Sequence, residues 1–197
     1  MNFFESIFLE LGFSWTLAKL TPYALMVLLG FILIYTFHSR IQHKVKKWVL
    51  MSIVGVLPFV VYFSIYPIYQ GDFSNKHFTP KQLERFPQKL TLSIVVLPGC
   101  PYCHETISFM NALISREPKL HIRYVVVSES MAPLSLFSSK LDKRISVIRA
   151  KNQKNWIIMA QGGFPCMMIS EHSKIIYAWE NDFFGVRAID DYLGRNN

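Results

Sequence analysis

Cysteine is absent from the first 99 residues of this 197-residue chain, and only three follow. So sparse a set excludes a disulfide-stapled scaffold, and its confinement to the later half points to a site. Acidic residues are also scarce, 13 Asp and Glu against 21 Lys and Arg, giving a formal charge of +8. Residues 90–197 nevertheless carry 12 basic and 9 acidic residues, so much of the surplus lies elsewhere and nucleic acid is not an expected partner. The chain has no internal repeat and no low-complexity tract.

Charge is missing altogether from two stretches, LTPYALMVLLGFILIYTF at 20–37 and WVLMSIVGVLPFVVYFSIYPIY at 48–69. Each is about the length a helix needs to cross a bilayer core, so residues 20–69 read as a two-helix anchor whose partner is the lipid bilayer. The rival reading is two buried helices of a soluble bundle. Pro58 and Pro67 would kink the second span or mark its end. Between the spans, the loop 38–47 carries Arg40, Lys44, Lys46 and Lys47 with no acid, whereas the first nineteen residues hold Glu5, Glu10 and one base, Lys19. The positive-inside rule then makes the loop cytoplasmic and sends both termini outward. The expectation is a multi-pass protein of a bacterial inner membrane, with its C-terminal half in the periplasm or another extracytoplasmic space. The acidic N-terminus and the lack of a small-residue cleavage site predict a retained anchor. Phe4, Phe8, Leu11 and Trp15 make 1–19 either an interfacial helix or an extension packed on the spans. With no cysteine in or beside the spans, they read as a tether that cannot relay electrons by thiol exchange.

Residues 70–89, punctuated by Gly71, Pro80 and Pro87, read as a linker with a short helix after Thr79. A globular domain is expected over 90–197. LSIVVL at 92–97 fits a strand buried on both faces. Pro101 suits the first turn of a helix whose apolar face is Ile107, Met110, Leu113 and Ile114 and which Pro118 stops. A second strand is expected at 121–127, a polar helical stretch around 133–143, and a weakly patterned segment through Trp156. Gly162-Gly163-Phe164-Pro165-Cys166 then leads into a strand. Glu171 to Lys174 turns into the strand IIYAW, and Val186, Ile189 and Leu193 give a last helix its buried face.

In this α/β order, Gly99-Cys100-Pro101-Tyr102-Cys103-His104 lies where the first strand gives way to a helix. Cys100 then sits at the helix N-terminus, where free backbone N–H groups and the positive end of the dipole favour an anionic sulfur, the form that attacks disulfides. Cys103 lies one turn further in, placed to resolve the mixed disulfide that Cys100 would form. Half a zinc site uses the same Cys-x-x-Cys spacing. It needs a second ligand pair, and no nearby His-x₃₋₅-His or cysteine pair supplies one, so no metal is expected.

The pair after a buried strand, followed by Phe164-Pro165 opening a later strand with a hairpin and helix behind it, resembles the thioredoxin superfamily over roughly residues 90–193. The resemblance implies a thioredoxin-like fold, a central mixed sheet flanked by helices, here preceded by two transmembrane helices. It implies a cis Pro165 against the cysteines, with Phe164 pairing to substrate backbone. It implies a thiol-disulfide oxidoreductase with Cys100 and Cys103 catalytic and no cofactor beyond the Cys100–Cys103 disulfide. Protein thiols and disulfides are the implied substrates, and a membrane or soluble redox partner would recycle the pair. Cys-Pro-Tyr-Cys also resembles glutaredoxins and bacterial disulfide-forming oxidases. Two departures stand out. Ile94 occupies the position where thioredoxins proper hold a buried acid that helps deprotonate the resolving thiol. The glutathione-binding pattern of glutaredoxins is missing.

Several residues carry open alternatives. Pro101 and Tyr102 lie within the motif and are candidate modulators. His104 and Glu105 either tune the pair or are plain exposed helix residues. Cys166 is either a third thiol close to Cys100 or a small buried hydrophobe. Lys140, Lys143, Arg144, Arg149, Lys151 and Lys154 form either a surface for lipid headgroups or an acidic partner, or a solvated face. The alternative function is a copper or other metal chaperone using the same thiols, since soft thiolates suit Cu(I), and a third is an assembly module with inert cysteines.

Overall fold

The computed structural model describes residues 3–38, 44–68, 71–74 and 76–196, with the backbone alone described at 44–47 and 196. The chain divides into two compact units, Met1–Tyr69 and Gln70–Asn197.

The first unit is helical: α1 (Phe3–Glu10), α2 (Trp15–His38) and α3 (Lys44–Ile65). The 24 residues of α2 and the 18 of α3 from Trp48 to Ile65 are long and apolar enough to cross a membrane. At a rise of about 1.5 Å per residue, α2 alone extends roughly 36 Å. Only 22% and 11% of the two apolar windows are buried, so side chains such as Phe31, 64% exposed, and Ile53, 55% exposed, face outward from the unit. The two helices meet where Gly30 lies against Gly55, an approach that any Cβ on Gly30 would block because it would strike the Gly55 carbonyl. Tyr23 donates its hydroxyl to the carbonyl of Tyr66 and packs edge-on to Tyr62, with ring centroids 4.9 Å apart. Pro58 is accommodated inside α3, which ends at Ile65, two residues before Pro67, because a residue preceding proline disfavours the helical region. Trp15 begins α2 instead of continuing α1, and α1 reaches α3 through Phe4 and Tyr62, 6.1 Å between centroids. Glu5 and Lys19 form a largely buried ion pair at 3.4 Å. Most of the loop expected at 38–47, including Arg40 and the side chains of Lys44, Lys46 and Lys47, lies outside the described residues.

The second unit is built on a five-stranded mixed sheet in the order β3-β2-β1-β4-β5, where β1 is Thr91–Val96, β2 Ile122–Val126, β3 Ser146–Arg149, β4 Cys166–Glu171 and β5 Lys174–Glu180. β1 is central and buried along its whole length, which is why it is rich in β-branched residues. It pairs parallel to β2, with Ile94 beside Tyr124, and antiparallel to β4, with Ile94 beside Met167. β3 extends the parallel half and β5 the antiparallel half. Helices α4 (Pro101–Arg116), α5 (Ala132–Ser138), α6 (Gln153–Met159) and α7 (Val186–Asn196) complete the unit. α4 and α5 cover the face carrying Tyr124, through Thr106 and Phe137. The opposite face carries Val95, Val125 and Met168 under Trp156 and Met159 of α6. The tyrosine of α7, Tyr192, donates to the carbonyl of His121 at 3.1 Å. This is a thioredoxin-like fold, a central mixed sheet flanked by helices.

Two expectations change. The segment through Trp156 holds an edge strand, β3, and the start of the short α6. Residues 76–88 contain no helix after Thr79 and pack within the second unit. Phe78 bridges to Ala178, Gln82 donates to the carbonyl of Ser173 at 2.8 Å, and Phe86 is buried against Trp156. The physical reason is length. Six residues between Pro80 and Pro87 are too few to sustain a helix, and burying Phe86 and Leu83 against the sheet face provides more.

Candidate active site

Loop Leu97-Pro98-Gly99 carries the chain from β1 to α4, and Cys100 is the N-cap of that helix, with extended backbone at φ −88° and ψ 114°. Its Sγ accepts the backbone N–H of Cys103 at 3.2 Å, the position a Ser or Asp oxygen takes in an ordinary cap. Pro101 follows at N1, where no N–H is needed. Cys100 is half-buried, whereas Cys103 is fully buried. Burial first, and then the hydrogen bond with the Cys100 sulfur, push the Cys103 thiol well above its ordinary range. The two sulfurs thus differ in kind: one half-buried as the cap of the helix, one fully enclosed behind it as a thiol.

The loop before β4 completes the site. The Phe164–Pro165 peptide is cis, and the Phe164 carbonyl accepts from the Cys100 thiol at 3.7 Å. Gly162, at φ +77°, supplies the left-handed turn that leads into this loop. Cys100, Cys103, Phe164 and Pro165 are therefore brought together from elements more than sixty residues apart. Tyr102 stands 60% exposed beside them, next to an exposed Pro101.

The remaining candidates are placed differently. His104 is half-buried, stacks on Phe137 at 4.9 Å with rings 6° from parallel, and reaches the Pro98 carbonyl through Nε2 at 3.0 Å. It braces the turn before Cys100 and makes no hydrogen bond to either sulfur. Glu105 is exposed on the helix. Cys166 is buried among Val95, Met168 and Ala178 on the sheet face opposite α4, so it sits in the core. Burial, and to a lesser degree the charge of Glu180, push its thiol up to about 12.

Two residues that the sequence does not flag matter here. Thr106 donates to the Cys103 carbonyl at 2.8 Å, and the Tyr124 hydroxyl lies 2.9 Å from the same Thr106 oxygen. Since Thr106 gives its one proton to the carbonyl, Tyr124 donates to Thr106. Burial raises the Tyr124 phenol, so it stays a donor. The two hydroxyls lock the first turn of α4 to β2. Tyr124 neighbours Ile94 in the sheet, so the buried polar group near Cys103 stands one strand over from Ile94. A lone tyrosine in an apolar strand is the only sequence signal for it. Among the described residues, no group of three or more His, Cys, Asp or Glu side chains is gathered to hold a metal ion.

No protein-family model matches the chain, and no curated protein matches it. Solved structures resemble part of the chain. A thioredoxin-like protein of Porphyromonas gingivalis shares 13% identity, with a TM-score of 0.46 over 55% of this chain and 76% of that one. An exposed lipoprotein thioredoxin of Streptococcus pneumoniae shares 17% identity, with a TM-score of 0.44 over 55% and 85%. A secreted disulfide oxidoreductase of Mycobacterium tuberculosis shares 10% identity, with a TM-score of 0.43 over 55% and 82%.

Proposed function

We propose that the chain is a membrane-tethered thiol-disulfide oxidoreductase acting outside the cytoplasm on protein thiols and disulfides. One observation carries the reading: a half-exposed Cys100 sulfur caps a helix, and the buried Cys103 thiol stands directly behind it. In the reducing direction, Cys100 thiolate attacks a substrate disulfide. The new S–S bond joins Cys100 to one substrate sulfur, and the other leaves as thiolate and takes up a proton. Cys103 then loses its proton and attacks the Cys100 sulfur, releasing the second substrate thiolate. The substrate gains two electrons and the pair becomes a disulfide. Oxidation of a substrate dithiol is the same sequence reversed. Phe164, beside the Cys100 sulfur and ahead of Pro165, offers backbone for an extended substrate, and exposed Tyr102 offers an apolar contact. A separate redox partner recycles the pair. The anchor reading is supported by two apolar helices whose outward side chains suit lipid better than water.

Exchange between the purified chain and a peptide disulfide tests this reading. Cys100→Ser is expected to lower the rate by about 10³-fold or more, as removal of a nucleophile does. Unchanged exchange in that variant, or stoichiometric metal on protein purified under reducing conditions, overturns the assignment and favours a metal chaperone. The reduction potential then gives direction: a value near about −270 mV marks a reductant, and one near about −120 mV an oxidant.

A further inference from the structure

A cleft of 770 Å³ opens on the sheet face opposite α4, between residues 82–85, β2, the end of β3 and the residues entering α6. Four cations line it, Arg85, Arg123, Arg149 and Lys151, against one carboxylate, Glu84, whose Oε1 accepts from Asn155 at 2.7 Å. None of the four cations forms an ion pair among the described residues. Arg123 is the unusual one. Its Nε donates to Ser93 Oγ at 2.7 Å, and its guanidinium lies 5.0 Å from the Phe86 ring and 5.8 Å from that of Trp156. Its Nη2 is enclosed and has no protein acceptor. Aromatic faces attract a cation but offer no lone pair to an N–H, so Nη2 is left unsatisfied in a partly desolvated place. Burial lowers this guanidinium to about 10, which leaves it charged at neutral pH.

The ligand that answers these features is an anion with a body. The cleft is of small-molecule size, too large for a bare ion, and Trp156 gives it an apolar wall. A guanidinium fork matches the paired oxygens of a phosphate, and a surplus of three positive charges suits a dianion. We propose that this cleft is a binding site for a phosphate ester, independent of the thiol chemistry. A soluble organophosphate and the headgroup of an anionic phospholipid share that chemistry.

The test uses the full chain in phosphatidylcholine nanodiscs, titrated calorimetrically with phenyl phosphate and, separately, with a short-chain phosphatidic acid. Saturable binding at submillimolar concentration is expected, weakened at least tenfold in Arg149→Gln/Lys151→Gln and in Arg123→Lys, which keeps the charge but loses the fork, while thiol exchange is retained. Binding of both probes assigns a soluble ester, and binding of the lipid alone assigns a headgroup; either supports the site. Failure of both probes to bind at millimolar concentration, or binding that the rim double variant leaves unchanged, overturns it.

Discussion

The resolving step depends on one enclosed sulfur. Cys103 must lose a proton before it can attack, and burial together with the adjacent Cys100 sulfur opposes that loss. With Ile94 beside Tyr124 and Tyr124 fixed as a donor, the only side chain hydrogen-bonded to the Cys103 thiol among the described residues is Cys100 itself. The rate of mixed-disulfide resolution is therefore expected to climb about tenfold per pH unit from pH 6 to 8 without levelling, following the thiolate fraction. Stopped-flow single-turnover measurement on a trapped adduct checks this, and a plateau near neutrality would reveal a base. Tyr124→Phe removes a donor to Thr106 and is expected to cost about 1 kcal/mol in chemical denaturation. The cysteine pair was legible because its spacing is local, and the helix start was legible because Pro101 and the following apolar rows announce it. Thr106 and Tyr124 were not, since their roles depend on which strand pairs beside β1. The doubt over Cys166 was of the same kind. Its face of β4 decides it, and strand register is invisible in a short apolar run.

Elements show the same division between local and distant causes. The β4–β5 hairpin was legible from Glu171-His172-Ser173-Lys174, and His172 and Ser173 both take left-handed backbone, φ 50° and 65°. Neither residue favours it, so His172→Asn/Ser173→Gly is expected to raise stability by roughly 1 kcal/mol, read as a shift in the denaturant midpoint. The hairpin is also held from outside, since the His172 N–H donates to the Gln88 carbonyl at 2.8 Å. That tie belongs to residues 71–88, whose polar and proline-rich composition gave no hint of docking. Phe86 is their anchor, and Phe86→Ala is expected to cost about 3 kcal/mol and to expose this segment to protease. β3 was unreadable because an exposed four-residue edge strand has no apolar alternation to display. In the first unit, Gly30→Val is expected to destabilise the α2–α3 pair by about 1–3 kcal/mol in detergent denaturation, since the added carbons meet the Gly55 backbone.

At the scale of the whole molecule, buried thiols and phenols set the alkaline limit. Cys103, Cys166, Tyr124 and Tyr192 are all raised by burial, so each favours the fold while protonated. For Cys166, with an unfolded value of 9.0 and a folded value of about 12, this contribution is complete below pH 9 and lost as pH rises through 12. The denaturant midpoint is accordingly expected to fall above pH 9, less steeply in Cys166→Ala. Burial also sharpens the topology test: Cys103 and Cys166 are enclosed, so a membrane-impermeant thiol reagent on reduced intact cells reports on Cys100. Labelling is expected, and its absence would place the second unit inside. The most direct measurement of the central claim is trapping in membranes with Cys103→Ala. The account predicts reductant-cleavable protein adducts on Cys100 that vanish in Cys100→Ser/Cys103→Ala. No adducts in the single variant, or adducts that survive in the double variant, would contradict it.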